Sequence, residues 1–274
     1  MGKLINGDDG MPAEDEVGIW AKEKHDYLRR YLDISRGTRK KWLGPRKAGA
    51  TFIDLFCGPG RARVKETGEW IDGSAIAAWK ISQEGGASFS DIYVADIDDA
   101  RRTATVQRLR QLGAPVRELT GSAVDAAAAV AKAVNPYGLH FAFIDPFSLG
   151  TLDFRIIQSL APLKHIDMLI HLSKMDLQRN LGINLASEES AFDSFAPGWR
   201  EKINPTSSQQ EIRRLVVEYW RNLVSGLGIW PSTDMKLITG KGNQHLYWLL
   251  LAAKNDLAHK FWEVAVDTGQ GKLF

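Results

Sequence analysis

One short stretch, residues 51–60, limits most strongly what this chain can fold into. Five of its first six residues are β-branched or apolar, with Asp54 as the exception, which predicts a buried strand. The stretch ends in Gly58-Pro59-Gly60, a turn in which the backbone can approach a ligand closely because two residues lack a Cβ. In an open α/β sheet, ligands bind beyond the carboxyl ends of the strands, which is where this turn would lie.

The residues around this turn indicate which ligand it binds. No Gly-Lys-Ser/Thr follows the glycines, which excludes a mononucleotide phosphate loop. A dinucleotide-binding loop has a third glycine where Arg63 stands here, and Asp54 would repel a pyrophosphate. A carboxylate at the strand end suits a ligand with positive charge, and S-adenosylmethionine carries an ammonium and a sulfonium. The residues predicted to contact this cofactor from the first strand and its turn are Asp54, Phe56, Gly58, Pro59 and Gly60.

Length and composition predict one large domain. At 274 residues and 44% hydrophobic content, the chain can bury a substantial core, which we place in residues 19–274. Within it we expect an N-terminal helical segment in residues 19–47 and an insertion at about residues 181–225. Residues 1–18 are polar and rich in Gly, Asp and Glu, so we expect them to be disordered or part of a tag.

Charge and cysteine content narrow the function classes. A net charge of +2 is nearly neutral, so the overall charge does not indicate nucleic-acid binding. The single cysteine excludes a disulfide framework, and the histidines lack metal-ligand spacing, so we expect no protein-held metal. No apolar run approaches ~20 residues and no signal peptide is recognisable, which predicts a cytoplasmic chain without a membrane span.

Acidic and hydroxyl side chains follow the second and third predicted strands. The second strand runs to Asp96, at the position where nucleoside-binding α/β folds hold ribose hydroxyls. The third strand leads to Ser122 and Asp125, which either cap the next helix or bind an adenine amino group. These three residues complete the predicted cofactor site.

The fourth predicted strand, residues 139–144, stops at Asp145-Pro146-Phe147. A carboxylate there would lie beside the reactive end of the cofactor, where it could accept a hydrogen bond or a proton from an acceptor group. The aromatic ring could hold a flat substrate. We therefore predict Asp145, Pro146 and Phe147 as the catalytic residues; a plain strand-to-turn Asp-Pro is the alternative.

Further polar residues are predicted at the same edge of the sheet. Ser148 follows the catalytic segment directly, and a fifth strand at residues 166–172 leads into a polar run. The residues predicted to bind the substrate are Ser148, Lys174, Asp176, Arg179 and Asn180. The alternative is a surface loop and the start of a helix.

Strands alternate with helices along the chain and end in a hairpin at residues 235–253. This order predicts an α/β fold with a Rossmann-like, mostly parallel sheet, helices on both faces and an antiparallel C-terminal hairpin. Other segments are expected at the surface: an exposed loop at residues 61–72, a basic connector at residues 36–47, and an Arg-rich helix at residues 99–112 whose charges are mostly solvated. Residues 181–205 carry Phe192, Phe195 and Trp199, which favours an inserted flap over disorder.

The ordered set of motifs resembles the three-Cys-motif partner protein (TcmP) family. The matching pieces are Lys24-His25, Tyr31-Leu32, Phe52–Gly60, Gly73-Ser74, Phe143–Phe147, Ile166–Ile170, Met175–Asn180 and Leu246–Leu249. The resemblance implies a class I S-adenosylmethionine-dependent methyltransferase fold and association with a separate protein that carries the three-cysteine motif. The 51–60 stretch is also similar to the first motif of cytosine-5 methyltransferases. Those enzymes need a Pro-Cys nucleophile where this chain has Pro146-Phe147, so we reject that chemistry.

Two functions follow from the residues and the resemblance. The first is methyl transfer from S-adenosylmethionine to a nucleic acid or an associated substrate, with Asp145 positioning or deprotonating the acceptor. The second is a non-catalytic partner protein that uses the same fold to bind nucleic acid or a three-Cys-motif protein. The strand-four motif of amino-methyltransferases has a second proline that this chain lacks, which favours the second function.

Overall fold

The computed structural model describes residues 2–267. The strands of these residues are β1 (Leu4–Asn6), β2 (Pro12–Val17), β3 (Ala50–Asp54), β4 (Arg61–Val64), β5 (Trp70–Asp72), β6 (Asp91–Ala95), β7 (Val116–Leu119), β8 (Leu139–Ile144), β9 (His165–Ser173), β10 (Trp230–Pro231), β11 (Lys236–Thr239) and β12 (His245–Ala253). The helices are α1 (Trp20–Ile34), α2 (Arg36–Lys40), α3 (Ser74–Glu84), α4 (Asp99–Gln111), α5 (Ala123–Ala133), α6 (Phe154–Leu160), α7 (Lys174–Arg179), α8 (Leu181–Ala186), α9 (Ala191–Phe195), α10 (Trp199–Lys202), α11 (Gln209–Gly226) and α12 (Asp256–Val266).

The central sheet has the strand order β10-β12-β9-β8-β3-β6-β7, and β11 also pairs with β12. Strands β7, β6, β3, β8 and β9 are parallel, whereas β12 runs antiparallel to β9. Strands β11 and β12 form the antiparallel hairpin expected near the C-terminus. The predicted mostly parallel α/β sheet is therefore confirmed.

Helices cover both faces of this sheet and form two apolar layers. One layer contains Ile53 of β3 together with α5, α6 and α11. The other contains Phe52 of β3 with α1, α3, α4 and α12. Successive strand residues point to opposite faces, so a fully buried strand such as β3 needs apolar residues in a continuous run. No helix within residues 2–267 is both long enough and apolar enough to cross a membrane.

Two strands, β1 and β2, lie within residues 4–17, where the sequence analysis expects disorder or a tag. Strands β1 and β2 join β4 and β5 in a second sheet, with the order β1-β2-β4-β5. Residues 61–72, expected as an exposed loop, supply two of these strands. Ion pairs hold the polar strands together: Arg61 contacts Asp8 and Asp72, and Arg63 contacts Asp15. These strands were not predicted because their sequences are mostly polar and lack a clear apolar alternation.

The prediction of a mostly solvated Arg-rich helix is also wrong. Arg101, Arg102 and Arg108 of α4 are each 5% exposed. Arg108 donates to Asp9 in the segment between β1 and β2, and Arg101 pairs with Glu14 of β2. Helix α4 therefore uses its cations to fasten the N-terminal segment to the main domain.

The inserted segment contains four helices, α8 to α11. Phe192, Phe195 and Trp199 are at most 2% exposed and belong to the apolar layer of α5 and α6. Phe195 stacks on Trp220 of α11 with ring centroids 5.2 Å apart. The insertion is thus a packed part of the core.

Candidate functional site

A cleft of about 860 Å³ lies at the carboxyl edge of the central sheet. It collects residues that follow β3, β6, β7 and β8, which are distant in sequence but adjacent in the sheet. The predicted site residues that line it are Phe56, Asp96, Ser122, Asp125, Asp145, Pro146 and Phe147. Residues Gly2, Glu14 and Val17 of the N-terminal segment line it as well.

Asp96 lies in the cleft directly after β6. Its Oδ2 accepts a hydrogen bond from the Gly58 amide (3.0 Å), and its Oδ1 accepts one from the Asp98 amide (2.9 Å). Burial raises the pKa of Asp96 against these hydrogen bonds. Each carboxylate oxygen can accept a second hydrogen bond, so Asp96 can bind a ligand hydroxyl while it holds the glycine turn.

Asp54 does not line the cleft, contrary to the prediction. It is fully buried, and its carboxylate accepts hydrogen bonds from the Ser74 hydroxyl (2.5 Å) and the Phe56 amide (3.2 Å). Burial raises its pKa to about 7. Asp54 therefore joins β3 to the start of α3 instead of facing a cationic ligand.

Two carbonyls of the glycine turn and the α-carbon of Gly60 face helix α4. The Gly58 carbonyl accepts a hydrogen bond from Thr105 of α4 (2.7 Å), and Arg108 donates to the Pro59 carbonyl. At Gly60 the backbone has φ +81°, and a Cβ would lie 2.8 Å from the Thr105 hydroxyl. Gly60 must be glycine because α4 packs against it, and Pro59 and Gly60 are buried, so their predicted contacts with a ligand are not supported. A Cβ at Gly58 would meet open space, so its contact with a ligand stays a prediction.

Ser122 and Asp125 line the cleft and also cap α5. The Ser122 hydroxyl accepts a hydrogen bond from the Asp125 amide (3.2 Å) and donates one to the Asp125 carboxylate (2.6 Å). Ser122 and Asp125 can therefore cap α5 and also bind a ligand, because the cap uses only one carboxylate oxygen of Asp125.

Asp145 lies at the cleft end of β8 in a cluster of charges. Its Oδ2 forms an ion pair with the Lys24 ammonium of α1, and its Oδ1 lies 2.8 Å from Nδ1 of His171 in β9. Burial favours protonation, but Lys24 and His171 outweigh it and hold the pKa of Asp145 below its ordinary value. A carboxylate that is so strongly stabilised in its charged form is a poor proton acceptor, so the predicted role of Asp145 as a base is not supported.

His171 lines the cleft beside Asp145. Burial lowers its pKa below 6.5, against the Asp145 carboxylate, so the imidazole is neutral at pH 7. An ionised carboxylate only accepts hydrogen bonds, so Nδ1 must carry the proton, and Nε2 has a free lone pair. Nε2 is buried and has no hydrogen-bond partner among residues 2–267. The centroid of the Tyr247 ring lies 4.0 Å from that of the imidazole, so the two rings are in contact.

Pro146 and Phe147 continue the wall from Asp145. Pro146 is buried, whereas Phe147 is 62% exposed at the cleft. A large exposed aromatic side chain beside a polar cleft is a platform on which a planar group can stack.

The predicted substrate residues are not gathered in the cleft. Asp176 accepts a hydrogen bond from the Leu149 amide (2.6 Å) and another from the Asn180 side chain, so it braces the turn after Phe147. Ser148 starts that turn by bonding to Thr151. Arg179 is exposed. None of these four predicted residues is a wall of the cleft.

Lys174 lies in a second groove, of about 630 Å³, between α7, α11 and β12. Its ammonium is 4.8 Å from the Trp248 ring and 2.9 Å from Nδ1 of His245. The groove is also lined by Arg213, Arg214, Arg221 and Glu218. It begins where β9 ends, three positions after His171, and it carries more positive than negative charge.

Two residues of the charge cluster were missed by reasoning from motifs. Lys24 belongs to the Lys24-His25 pair of the resemblance, but nothing in its spacing connects it with Asp145, 121 positions away. His171 stands near the end of a buried strand that leads to the ligand edge, and an ionisable residue in that position is the signal that could have identified it.

Comparison with known proteins supports the fold and no finer assignment. No protein-family model and no curated protein matches the sequence. A solved O-methyltransferase from Bacillus cereus, in complex with SAH, is similar in structure, with 10% identity, coverage of 85% of this chain and 81% of that chain, and a TM-score of 0.51. A Legionella pneumophila protein described as DUF519 shows 11% identity, coverage of 92% and 94%, and a TM-score of 0.50. These likenesses, together with the strand order, show that the chain has the α/β fold of class I methyltransferases.

Proposed function

We propose that this chain is an S-adenosylmethionine-dependent methyltransferase that acts on a nucleic acid or an associated substrate. One observation carries the proposal: a single cleft at the carboxyl edge of the sheet contains Asp96 after β6 and the Asp145–His171 pair of β8 and β9. Ligands of open α/β sheets bind at this edge. The likeness to an O-methyltransferase solved with SAH supports the choice of cofactor.

The walls of the cleft fit this cofactor. The volume of about 860 Å³ is in the range of small-molecule sites, roughly 300–1,000 Å³. Asp96 would accept from the ribose hydroxyls, and Phe56, Ser122 and Asp125 would contact the nucleoside. The bound cofactor would supply an electrophilic methyl group on its sulfonium.

The chain's own contribution would be positioning and proton transfer. Phe147 would stack against a flat acceptor at the mouth of the cleft. His171 Nε2, which has no partner among residues 2–267, would take the proton that the acceptor nitrogen or oxygen loses. Asp145 would hold the imidazole in the tautomer with the proton on Nδ1, and Lys24 would keep Asp145 ionised.

A nucleic acid is favoured as the acceptor by the second groove. Lys174, Arg213 and Arg221 lie along it, with Trp248 beside Lys174. Cations that contact phosphates, interleaved with an aromatic ring for a base, are typical of single-stranded nucleic-acid binding. The net charge of the whole chain is only +2, but the cations along the groove create a positive potential there. We further propose, from the motif resemblance alone, that the chain works with a three-Cys-motif protein.

Calorimetry with S-adenosylmethionine and the Asp96→Asn variant tests the proposal. We expect saturable binding to the wild-type chain and at least roughly tenfold weaker binding to Asp96→Asn, since a charge-assisted hydrogen bond is lost. Asp91→Asn, at the opposite end of the same strand, is the matched control and should bind normally. Absence of binding at millimolar cofactor would contradict the proposal.

A non-catalytic partner protein is the second candidate. The observation in its favour is that both oxygens of Asp145 are already engaged, by Lys24 and by His171. In this function the charge cluster would only stabilise the edge of the sheet. Cofactor binding without methyl transfer to mixed DNA, RNA or protein acceptors, with transfer equally absent in His171→Gln, would support it.

A further inference from the structure

A smaller pocket, distinct from the cleft and from the groove of Lys174, lies at the amino edge of the central sheet. Its volume is about 210 Å³. It is bounded by the starts of β8 and β9, the end of α1, and α2 and α12. Nothing in the proposed methyl transfer uses it.

The wall of this pocket contains a buried cation, Arg39, that forms no direct ion pair among residues 2–267. Asp33 acts on it through space, and its guanidinium lies 4.7 Å from the centre of the Phe89 ring. Arg39 is 2% exposed, and its guanidinium donates only to the carbonyls of Ala87 (2.6 Å) and Leu32 (3.0 Å). Its Nη2 has no hydrogen-bond partner among residues 2–267. Burial lowers its pKa to about 10, which leaves the group charged at pH 7. A buried charge with an unused donor is costly unless an anion pairs with it.

Other groups around the pocket add to this positive potential. Lys164 and Lys254 line it. His165 lines it too, but burial lowers its pKa, so it adds little positive charge at pH 7. The first turn of α12 also borders the pocket through Leu257 and Ala258, but the Asn255 side chain already caps this end and Asp256 places a carboxylate there.

The remaining wall is suited to an apolar body with one polar group. Tyr31, Phe89, Phe141 and Phe261 contribute aromatic surface. Asp167 is the acidic residue of the wall; it accepts a hydrogen bond from the Tyr31 hydroxyl (2.8 Å), and burial raises its pKa to about 6.

We propose that this pocket binds a small organic anion, a carboxylate or phosphate monoester on an aromatic body, with the anionic group on Arg39. The rim cations would guide the anion in, and the ring would lie among the aromatic side chains. This site is separate from the cofactor cleft, so either can fail without the other.

Calorimetry on the full chain with benzoate and phenyl phosphate tests the site and distinguishes its two anion types. At least one should bind saturably in the millimolar range or tighter. Neutral benzamide should bind at least roughly tenfold more weakly, because it cannot form the charge-assisted pair. Equal binding of benzamide would contradict the role of Arg39.

Variants locate the binding. Arg39→Met should weaken it by about tenfold or more. Lys254→Glu reverses a rim charge without touching the core, and should weaken it too, even if Arg39→Met folds poorly. Lys132→Met, an exposed lysine on α5, is the control and should have no effect. Absence of saturable binding of both anions to the wild-type chain, or binding unchanged in Lys254→Glu and Arg39→Met, would overturn the proposal.

Discussion

The buried carboxylates of this chain differ in what neutralises them. Asp145 faces the Lys24 ammonium and the His171 imidazole, so its charged form is stabilised. Asp54 is more deeply buried, its side-chain partner is the Ser74 hydroxyl, and its pKa rises to about 7. Asp145, at the end of β8, is therefore held in its charged form, whereas Asp54, at the end of β3, titrates near neutral pH.

Replacing Asp54 by asparagine should change the pH dependence of stability. A carboxyl group with a raised folded pKa contributes stability below its unfolded pKa of 3.8 and loses that contribution as the pH rises to about 7. Asp54→Asn cannot ionise. The difference in free energy of unfolding, variant minus wild type, should therefore be more positive at pH 8 than at pH 4 by on the order of a few kcal/mol. Urea unfolding at both pH values measures this. Parallel pH profiles of the two proteins would contradict it.

If the chain is a methyltransferase, His171 should set the acidic limb of its pH profile. The pKa of His171 is below 6.5, so the transfer rate should be constant near pH 7 and fall as the pH drops through that pKa. His171→Gln should lose roughly 10²–10⁴-fold in transfer rate and lack the acidic limb, with unchanged cofactor affinity. His259→Gln serves as the control. An acidic limb that persists in His171→Gln would refute the role.

At the scale of elements, helix α4 connects three parts of the molecule. Its Arg108 donates to Asp9 and to the carbonyls of Pro12 and Pro59, so it ties the N-terminal segment to the glycine turn. Because that segment lines the cleft, the same arginine also shapes the candidate site. The charges of α4 alone predict a solvated helix, but its arginines hold the N-terminal segment against the main domain.

Removing this anchor should release the N-terminal segment. Arg108→Met loses hydrogen bonds to a charged group and should reduce the free energy of unfolding by on the order of 2 kcal/mol. Hydrogen exchange of the amides of residues 4–17 should rise at the same time. Arg110→Met, on the exposed side of the same helix, is the matched control and should change neither quantity. Unchanged exchange in Arg108→Met would show that the strand pairing alone holds the segment.

The insertion should contribute to global stability as a core element. Phe195→Ala removes a fully buried ring that stacks on Trp220 and should cost about 3–5 kcal/mol. Phe147→Ala makes the same chemical change at a 62% exposed position and should leave unfolding almost unaffected. Denaturant midpoints of both variants compare them. A small effect of Phe195→Ala would mean that the insertion unfolds separately.

At the scale of the whole molecule, helix α1 spans the sheet from one edge to the other. Lys24, near its start, contacts Asp145 at the cleft, and Tyr31, near its end, contacts Asp167 at the amino-edge pocket. The candidate cofactor site and the candidate anion site therefore share one helix as a wall.

Binding of S-adenosylmethionine should raise the melting temperature of the whole chain. At about 100 times the Kd, one-site linkage stabilises the folded state by about 2.7 kcal/mol. At about 2–4 °C per kcal/mol for a chain of this size, the midpoint should shift by roughly 5–10 °C. Asp96→Asn should shift less at the same concentration. Equal shifts in the two proteins would place the ligand away from Asp96.

Local patterns were sufficient for the central sheet but not for the polar N-terminal sheet. Strand β8 is a mostly apolar run bounded by turn residues, and its predicted bounds are the observed ones. These signals act within a few residues and persist whatever the rest of the chain does. The cleft itself followed from topology, since the carboxyl ends of parallel strands must meet at one edge.

Burial and pairing depended on the tertiary structure. Whether Asp54 turns inward while Asp96 reaches the cleft depends on what packs beside each strand end, and no spacing in the sequence encodes it. The same holds for the Lys24–Asp145 ion pair and for Arg39, whose Nη2 has no hydrogen-bond partner among residues 2–267 and whose neighbours include the distant Ala87. The chain's periodicity determined where the strand ends lie, but desolvation and long-range charge contacts, which exist only in the folded state, decided what each side chain there can do.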